Sequence, residues 1–335
     1  MKVDVKIGTL VPGLSGPPVL LAPLSGVSDV VFRRIARRWG ADLVVTEMVP
    51  AHELIRGSEQ ARLRAAGLGI APHVVQLVGR VPASMAEAAK LAEDSGADIV
   101  DINMGCPAKH VMGGLAGSGL MRDTDLALRI IAAVVQAATV PVSVKMRLGW
   151  DDASHNAAEI AARAAALGVQ AVTVHGRTRQ QFYTGQADWR AIAPVVAAAG
   201  VPVIANGDIV DLATARTCLA RSGAAGLMVG RAALGQPWLP GTLSAALNGQ
   251  PIRYPAPAER AALAIEHYEG LLSLYGLKMG PKHARKHLAA YADRARDDGY
   301  HVAAEDRLGL VTTEQPAEAI RLLGRVYAEP ERRAA

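Results

Sequence analysis

The residues of this chain that could do chemistry are few, and most stand at the ends of short apolar runs. Cys106 lies in Asp101-Ile102-Asn103-Met104-Gly105-Cys106-Pro107. A thiol in that setting could be a nucleophile, a metal ligand or an acid. Zinc-type ligation wants a set of Cys and His partners at short spacing, which does not accompany it. Nucleophilic attack wants a nearby base, for which His175 is a candidate. An acid needs less, because an unperturbed thiol of pKa ~8.5 keeps its proton at neutral pH. The other cysteine, Cys218, falls in an Ala-rich helical segment and reads as an inert core residue.

A second set of polar residues interrupts otherwise apolar runs: Gln76, Asn103, Lys145, Arg147, His175-Gly176-Arg177, Asn206-Gly207-Asp208 and Gly230-Arg231. An ammonium placed in a buried strand requires an anionic partner. Glutamine offers both a donor and an acceptor, which suits the edge of a pyrimidine-like ring. Gly207 and Gly230 let backbone N–H groups come close to a phosphate. A helix expected to begin near Ala232 points its positive end at the same place, and Arg231 adds a fork of donors. A phosphate site facing a lysine and an amide fits FMN better than a bare sugar phosphate. The lysine would meet the negative charge that a reduced isoalloxazine carries near N1 and the C2 carbonyl.

These residues need a scaffold that brings them together. Strands are expected at Val19–Pro23, Asp42–Met48, His73–Val78, Ile99–Asn103, Val142–Arg147, Ala171–His175, Val201–Asn206 and Gly226–Gly230. Segments with helical spacing, most of them Ala-rich, lie between them, at 28–39, 82–95, 124–138, 153–167, 188–199 and 211–221. Nearly all-apolar strands are buried on both faces, and eight of them alternating with helices predict a closed parallel (β/α)₈ TIM barrel. The loop after the first strand, Ala22-Pro23-Leu24-Ser25-Gly26, lacks the GxGxxG spacing of a doubly wound sheet. Gly40, Gly96, Gly168, Gly200 and Gly223 recur where helices should stop, each suited to the left-handed C′ position. In such a barrel chemistry gathers at the C-terminal strand ends, with phosphate held after strands seven and eight. The polar set falls at those ends.

Composition bounds the rest. Fifty per cent hydrophobic residues with only 4% aromatic describe a tightly packed α/β core. The start has no signal-peptide pattern, and no apolar run reaches the roughly 18–20 residues of a membrane span, so a cytoplasmic protein is expected. No metal is expected, and a monomer is. After Pro251–Pro257, a linker with three prolines, the segments 258–275, 281–296 and 316–328 read as helices without strands. The domains are therefore drawn as a 1–250 barrel and a small all-helical 251–335 domain. The net charge is +5, and Gly276–Arg296 concentrates six Lys/Arg against the single acid Asp293. Lys282, Arg285 and Lys286 fall on one helical face, ready for phosphates. The cluster Arg33, Arg34, Arg37 and Arg38 reads as a solvated face.

Taken in order, the motifs resemble the tRNA-dihydrouridine synthases, most like their bacterial DusB-type branch. They are Ala22–Asp29 (APLSGVSD), Thr46-Glu47-Met48, Gln76-Leu77, Asp101–Lys109 (DINMGCPAK), Lys145–Gly149 (KMRLG), His175–Thr178 (HGRT), Asn206-Gly207-Asp208 and Gly230–Ala233 (GRAA). The resemblance spans about 20–325. It implies an FMN enzyme that passes hydride from NADPH to C6 of a D-loop uridine in tRNA, with Cys106 protonating C5. It further implies that Pro23, Leu24 and Ser25 contact the flavin, and that Gln76 and Lys145 bind the isoalloxazine. Asn206, Gly207, Asp208, Gly230 and Arg231 would hold the ribityl phosphate. Asn103 and His175 would line the site around flavin and uracil. Two departures stand out: Leu24 replaces a frequent methionine, and Met112-Gly113-Gly114 stand where relatives often carry more basic residues.

Overall fold

The computed structural model describes residues 16–107 and 116–328. Met112-Gly113-Gly114 lie outside the described residues. Among the described residues nine strands form the sheet: β1 (Val19–Leu21), β2 (Leu43–Val44), β3 (Val49–Pro50), β4 (Val74–Val78), β5 (Ile99–Met104), β6 (Val142–Arg147), β7 (Ala171–His175), β8 (Val203–Asn206) and β9 (Gly226–Val229). All pairings are parallel, in the order β2-β1-β9-β8-β7-β6-β5-β4-β3. An isolated parallel bridge, Val45 to Val74, joins the residue after β2 to the start of β4. β2 and β3 are thus two halves of one barrel strand, and the ring closes on eight positions.

The second strand departs from the expected Asp42–Met48, and two side chains explain why. The hydroxyl of Thr46 accepts the N–H of Gln76 at 2.9 Å, taking the place of a backbone acceptor. Glu47 turns its carboxylate to the N–H of Gly26 at 2.6 Å. Between the strands lie the helices Val30–Arg38, Pro82–Asp94, Thr124–Ala137, Ala157–Ala166, Ala193–Ala199 and Leu212–Ser222. Two short helices, Ala51–Ile55 and Glu59–Ala65, fill the connection after β3. The five expected stop glycines all have positive φ, from 66° to 109°. Helix starts are fixed by Asp29, Asp123 and Asp211, whose carboxylates accept N–H groups of the first turn.

Successive side chains on a strand point in opposite directions, and the core divides accordingly. Leu21, Val75, Leu77, Val100, Ile102, Val144, Val172 and Ala205 face outward into the cluster shared with the helices. Leu20, Ala22, Val45, Val74, Ile99, Ala171, Ile204 and Met228 form a separate cluster inside the barrel. Each fully buried Val or Leu contributes ~1.5–3 kcal/mol. Nearer the C-terminal strand ends the inward positions turn largely polar, with Val78 beside Cys106 an exception. They include Gln76, Asp101, Asn103, Ser143, Lys145, His175 and Asn206, in register with one another.

After the helix Leu239–Leu247 comes Pro257–Asp297, broken at Gly276 (φ 73°, ψ 168°), then Ala304–Thr312 and Pro316–Val326. The Ala304–Thr312 helix is a correction to the expected three. It buries little besides Asp306 and Leu310, so its apolar periodicity is faint. These helices share a second core of Tyr268, Leu271, Leu288, Tyr291, Leu322 and Leu323.

A buried polar joint fastens the tail to the barrel. Asp29 caps the first helix with one oxygen, and its other oxygen lies 3.2 Å from His267 Nε2 and 3.7 Å from His287 Nε2. The Tyr291 hydroxyl sits 3.1 Å from His267 Nδ1, and Phe32 packs beside both imidazoles. Burial works to raise the Asp29 pKa, but the two histidines and the helix N–H groups outweigh it and hold it at about 2. Among the described residues this trio is the one group of three metal-ligating side chains. No described helix is long and apolar enough to cross a membrane.

The solvated reading of the first helix fails at Arg33, which is buried. Its Nε donates to Ser28 O at 3.1 Å and an amino group to Ala66 O at 2.8 Å. Arg37 donates to Ala41 O and Ala71 O, and Arg38 pairs with Glu266 of the tail. Arg33→Ala leaves those carbonyls unpaired over a cavity. It is expected to destabilise the fold by about 3 kcal/mol, read as a lowered urea midpoint at unchanged m-value.

Candidate functional site

The C-terminal strand ends open onto a cleft of about 740 Å³. It is lined by Pro23, Leu24, Ser25, Gln76, Asn103, Cys106, Lys145, Arg147, His175, Asn206, Gly207, Asp208, Gly230 and Arg231. Every barrel residue to which the resemblance assigns a role is therefore brought to one place, while Gly176 and Arg177 stand outside the lining. That size suits a drug-sized or nucleotide-sized ligand.

Beneath the cleft runs a chain of hydrogen bonds. Ser143 Oγ donates to Asp101 Oδ1 at 2.6 Å, and Gln76 Nε2 donates to Asp101 Oδ2 at 2.6 Å. Asn103 Nδ2 donates to Gln76 Oε1 at 2.7 Å. Asn103 Oδ1 then accepts the N–H of Gly105 at 3.2 Å and of Cys106 at 3.0 Å. Cys106 is half-buried and packs beside Met48 and Val78, and its carbonyl accepts from Ser118. Arg147, buried, donates to Gly105 O at 2.8 Å and to Thr178 O and Phe182 O. Cys106 is thus held at both ends of its turn. Cys218 is fully buried, and burial pushes its thiol up to about 12.

Across the cleft Lys145 Nζ donates to Asn206 Oδ1 at 3.1 Å, and Asn206 Nδ2 donates to Met228 O. Burial foremost, then the charge of Arg147, push Lys145 down to about 8, while Asp101 works the other way. His175 Nε2 lies 3.3 Å from an amino group of Arg177. Arginine only donates, so Nε2 accepts and the proton is assigned to Nδ1. Burial, then Lys145, Arg147, Arg177 and Arg231, hold His175 well below its usual range. The imidazole is neutral at physiological pH and makes a poor base.

At the last two strands Gly207 has φ 119°, and a Cβ there would stand 2.8 Å from the His175 ring. A Cβ at Gly230 would meet nothing closer than 3.9 Å, so that side of the cradle is open. The helix expected near Ala232 is a single 3-10 turn, Arg231–Ala233, with the next helix starting at Leu239. A helix dipole therefore does not contribute at that spot, and the donors are Arg231 and local backbone groups. Asp208, itself at φ 52°, accepts from buried Arg177 at 2.6 and 3.1 Å, from Arg231 at 3.3 Å and from Ala187 N–H. Burial would raise its carboxyl, but the Arg177 bond and the Ala187 N–H prevail and keep it low. Its carboxylate is spent on orienting arginines.

Three features carried no role in the sequence reading. Arg147 was visible two residues from Lys145, on the same side of the strand. Asp101 stands inside the DINMGCPAK motif with no feature of its own to mark it. Phe182 and Tyr183 line the cleft, half-exposed, with Arg147 and Arg231 over the Tyr183 ring at 5.5 and 4.8 Å. The signal available was scarcity: the chain has only two phenylalanines.

The tail reaches this rim. A Cβ on Gly26 would lie 2.6 Å from Lys286 Nζ, so that ammonium sits against the first loop. Lys282 and Lys286 are exposed. Arg285 is half-buried and 3.8 Å from Glu314, so the expected three-cation face is two exposed lysines and one arginine beside an acid.

Comparison with known proteins gives a concordant result. The family model described as dihydrouridine synthase (Dus) matches residues 20–319. A protein of Rhodobacter capsulatus called a probable tRNA-dihydrouridine synthase is 52% identical, over 94% of this chain and 96% of that one. One of Rhizobium leguminosarum with the same description is 50% identical, over 90% and 92%. The tRNA-dihydrouridine synthase B of Xanthomonas campestris is 42% identical, over 93% and 92%.

A charged lysine held in this cleft costs stability when no ligand faces it. Its folded pKa is depressed, so the penalty is full below pH 8 and vanishes as pH rises toward 10.5. Lys145→Met is expected to stabilise the ligand-free protein by about 1–3 kcal/mol at pH 7 and by much less at pH 10, measured by urea unfolding. Equal effects at both values would contradict the assigned burial.

Proposed function

The chain belongs to the dihydrouridine synthase family, and from that premise we propose that it reduces a D-loop uridine of tRNA to 5,6-dihydrouridine, using bound FMN and NADPH. The observation that carries this reading is the meeting of Cys106, Asn103, Gln76, Lys145, His175, Asn206 and Arg231 around one cleft. Its residues fit the cofactor on their own chemistry. Lys145 offers a cation partly open to the cleft, to meet the ring's negative edge. Gly207 and the open Gly230 cradle, with Arg231, offer room and donors for a phosphate. Pro23, Leu24 and Ser25 supply one wall. Asp208 serves by aiming Arg231, rather than by touching phosphate itself.

The chemistry that FMN supplies when bound is hydride transfer to C6 of the uracil. The enolate left at C5–C4 then needs a proton, and Cys106 is the group held at the cleft to give it. His175 is excluded from that duty because it carries no proton to spare beyond its neutral tautomer. Asn103 keeps the Cys106 turn in place and, with the neutral His175, borders the uracil. The uridine must leave its stack to enter, at a cost of a few kcal/mol. A tRNA-binding role for the helical domain, 251–335, beside the catalytic barrel, 1–250, offsets that cost through phosphate contacts at Lys282, Lys286 and, more weakly, Arg285.

Cys106→Ala is expected to keep its yellow colour and NADPH oxidation while dihydrouridine formation falls by about 10²–10⁴-fold. Loss of flavin from that variant would count against the assignment. Lys282→Ala with Lys286→Ala should lower the slope of log K against log salt for tRNA binding by about 1–2, leaving flavin reduction unaltered. An unchanged slope would remove the tail from the RNA interface.

A further inference from the structure

We propose that Asp101 is a positioning residue, which through Gln76 and Asn103 sets the orientation of two carboxamides and hence the placement of the Cys106 turn. A carboxamide can be flipped end for end with little change of shape, so something must tell it which end is which. Asp101 does so here. Both of its oxygens accept, Oδ1 from Ser143 and Oδ2 from Gln76, at 2.6 Å each. Gln76 must therefore present its NH₂ to Asp101, which leaves Oε1 toward Asn103. Asn103 must answer with its own NH₂ at 2.7 Å, which leaves Oδ1 for the N–H groups of Gly105 and Cys106. The polarity at the Cys106 turn is thus dictated three residues and about three hydrogen bonds away.

The register makes the relay possible. Asp101 pairs with Gln76 on one side and Ser143 on the other, in the layer directly below Asn103 and Lys145. Gln76 and Asp101 are buried, so water cannot substitute for a lost partner at low cost. Asp101 is also the acid whose charge supports Lys145, against burial and Arg147. Burial raises its own carboxyl, while Gln76, Ser143 and Lys145 oppose that shift.

The test separates orientation from charge. Asp101→Asn keeps an oxygen for Gln76 but removes the charge; Asp101→Leu removes both at similar volume. The first readout is the rate at which iodoacetamide alkylates Cys106 in the purified chain, with buried Cys218 as internal control. It needs neither tRNA nor turnover. Asp101→Leu is expected to raise that rate about fivefold as the turn loosens, and Asp101→Asn to stay within about twofold of the parent. Gln76→Met cuts the relay one link later at conserved volume and carries the same expectation as Leu, should the Leu variant fail to fold. With tRNA, kcat should fall about 10- to 100-fold for Asp101→Leu with KM nearly unchanged. This second readout rests on the proposed function. If the parent chain leaves tRNA unreduced, that function falls while the alkylation arm still decides the relay. A folded Leu or Met variant alkylated at the parental rate, or an Asn variant as fast as Leu, would overturn the proposal.

Discussion

A side chain on a barrel strand points either into the barrel or outward against a helix, and the site depends on that two-way choice. On β4 to β8 the inward parity includes Gln76, Asp101, Asn103, Ser143, Lys145, His175 and Asn206, while the outward parity is apolar throughout. Below them the same inward parity is apolar, from Leu20 to Met228. Polar groups at this depth must find partners within the protein or a ligand. They do so laterally, strand to strand, because parallel register sets Gln76 beside Asp101 and Lys145 beside Asn103. The hydrogen-bonded chain under the cleft is a direct product of register.

Charge in the cleft is unbalanced by the same geometry. Lys145, Arg147, Arg177 and Arg231 surround His175, and Asp208 is engaged by two of those arginines. The result is a cleft that keeps its histidine neutral and favours an anion. Under the proposed function, in which an enolate forms beside a phosphate-bearing cofactor, that imbalance suits the reaction, and burial with Arg147 depresses Lys145 as its counterpart.

Much of this was legible in the sequence because period and stop signals are local. Helices ending at Gly40, Gly96 and Gly168 announced a repeating unit, and polar residues at strand ends announced which rim mattered. What was not legible was set by contacts distant in sequence. The split of the second strand depends on Thr46 reaching Gln76 and Glu47 reaching Gly26. Arg33 looked like one of four surface cations until Ala66, 33 residues away, supplied its acceptor. Asp101 looked like a motif letter, since its role exists only once Gln76 and Ser143 flank it. The turn at Arg231–Ala233 misled for the opposite reason: local composition allows a helix there, but Gly235 (φ 73°) interrupts it.

The first loop ties these parts together. Leu24 and Ser25 face the cleft, Ser28 takes the N–H of Leu24, Glu47 takes that of Gly26, and Lys286 of the tail rests on Gly26. Three residues beyond Gly26, Asp29 starts the first helix and meets His267 and His287. The eight-residue loop 22–29 therefore touches the cleft on one side and the tail on the other. Under the proposed function, an RNA pressed on Lys282 and Lys286 is gripped by a body whose position is referred, through Asp29, to the same loop that borders the flavin. The tail can then serve as a ruler for the distance between the gripped backbone and the thiol. Under that reading, the buried joint of Asp29, His267 and His287 beside Phe32 is the contact that would fix the tail to this loop.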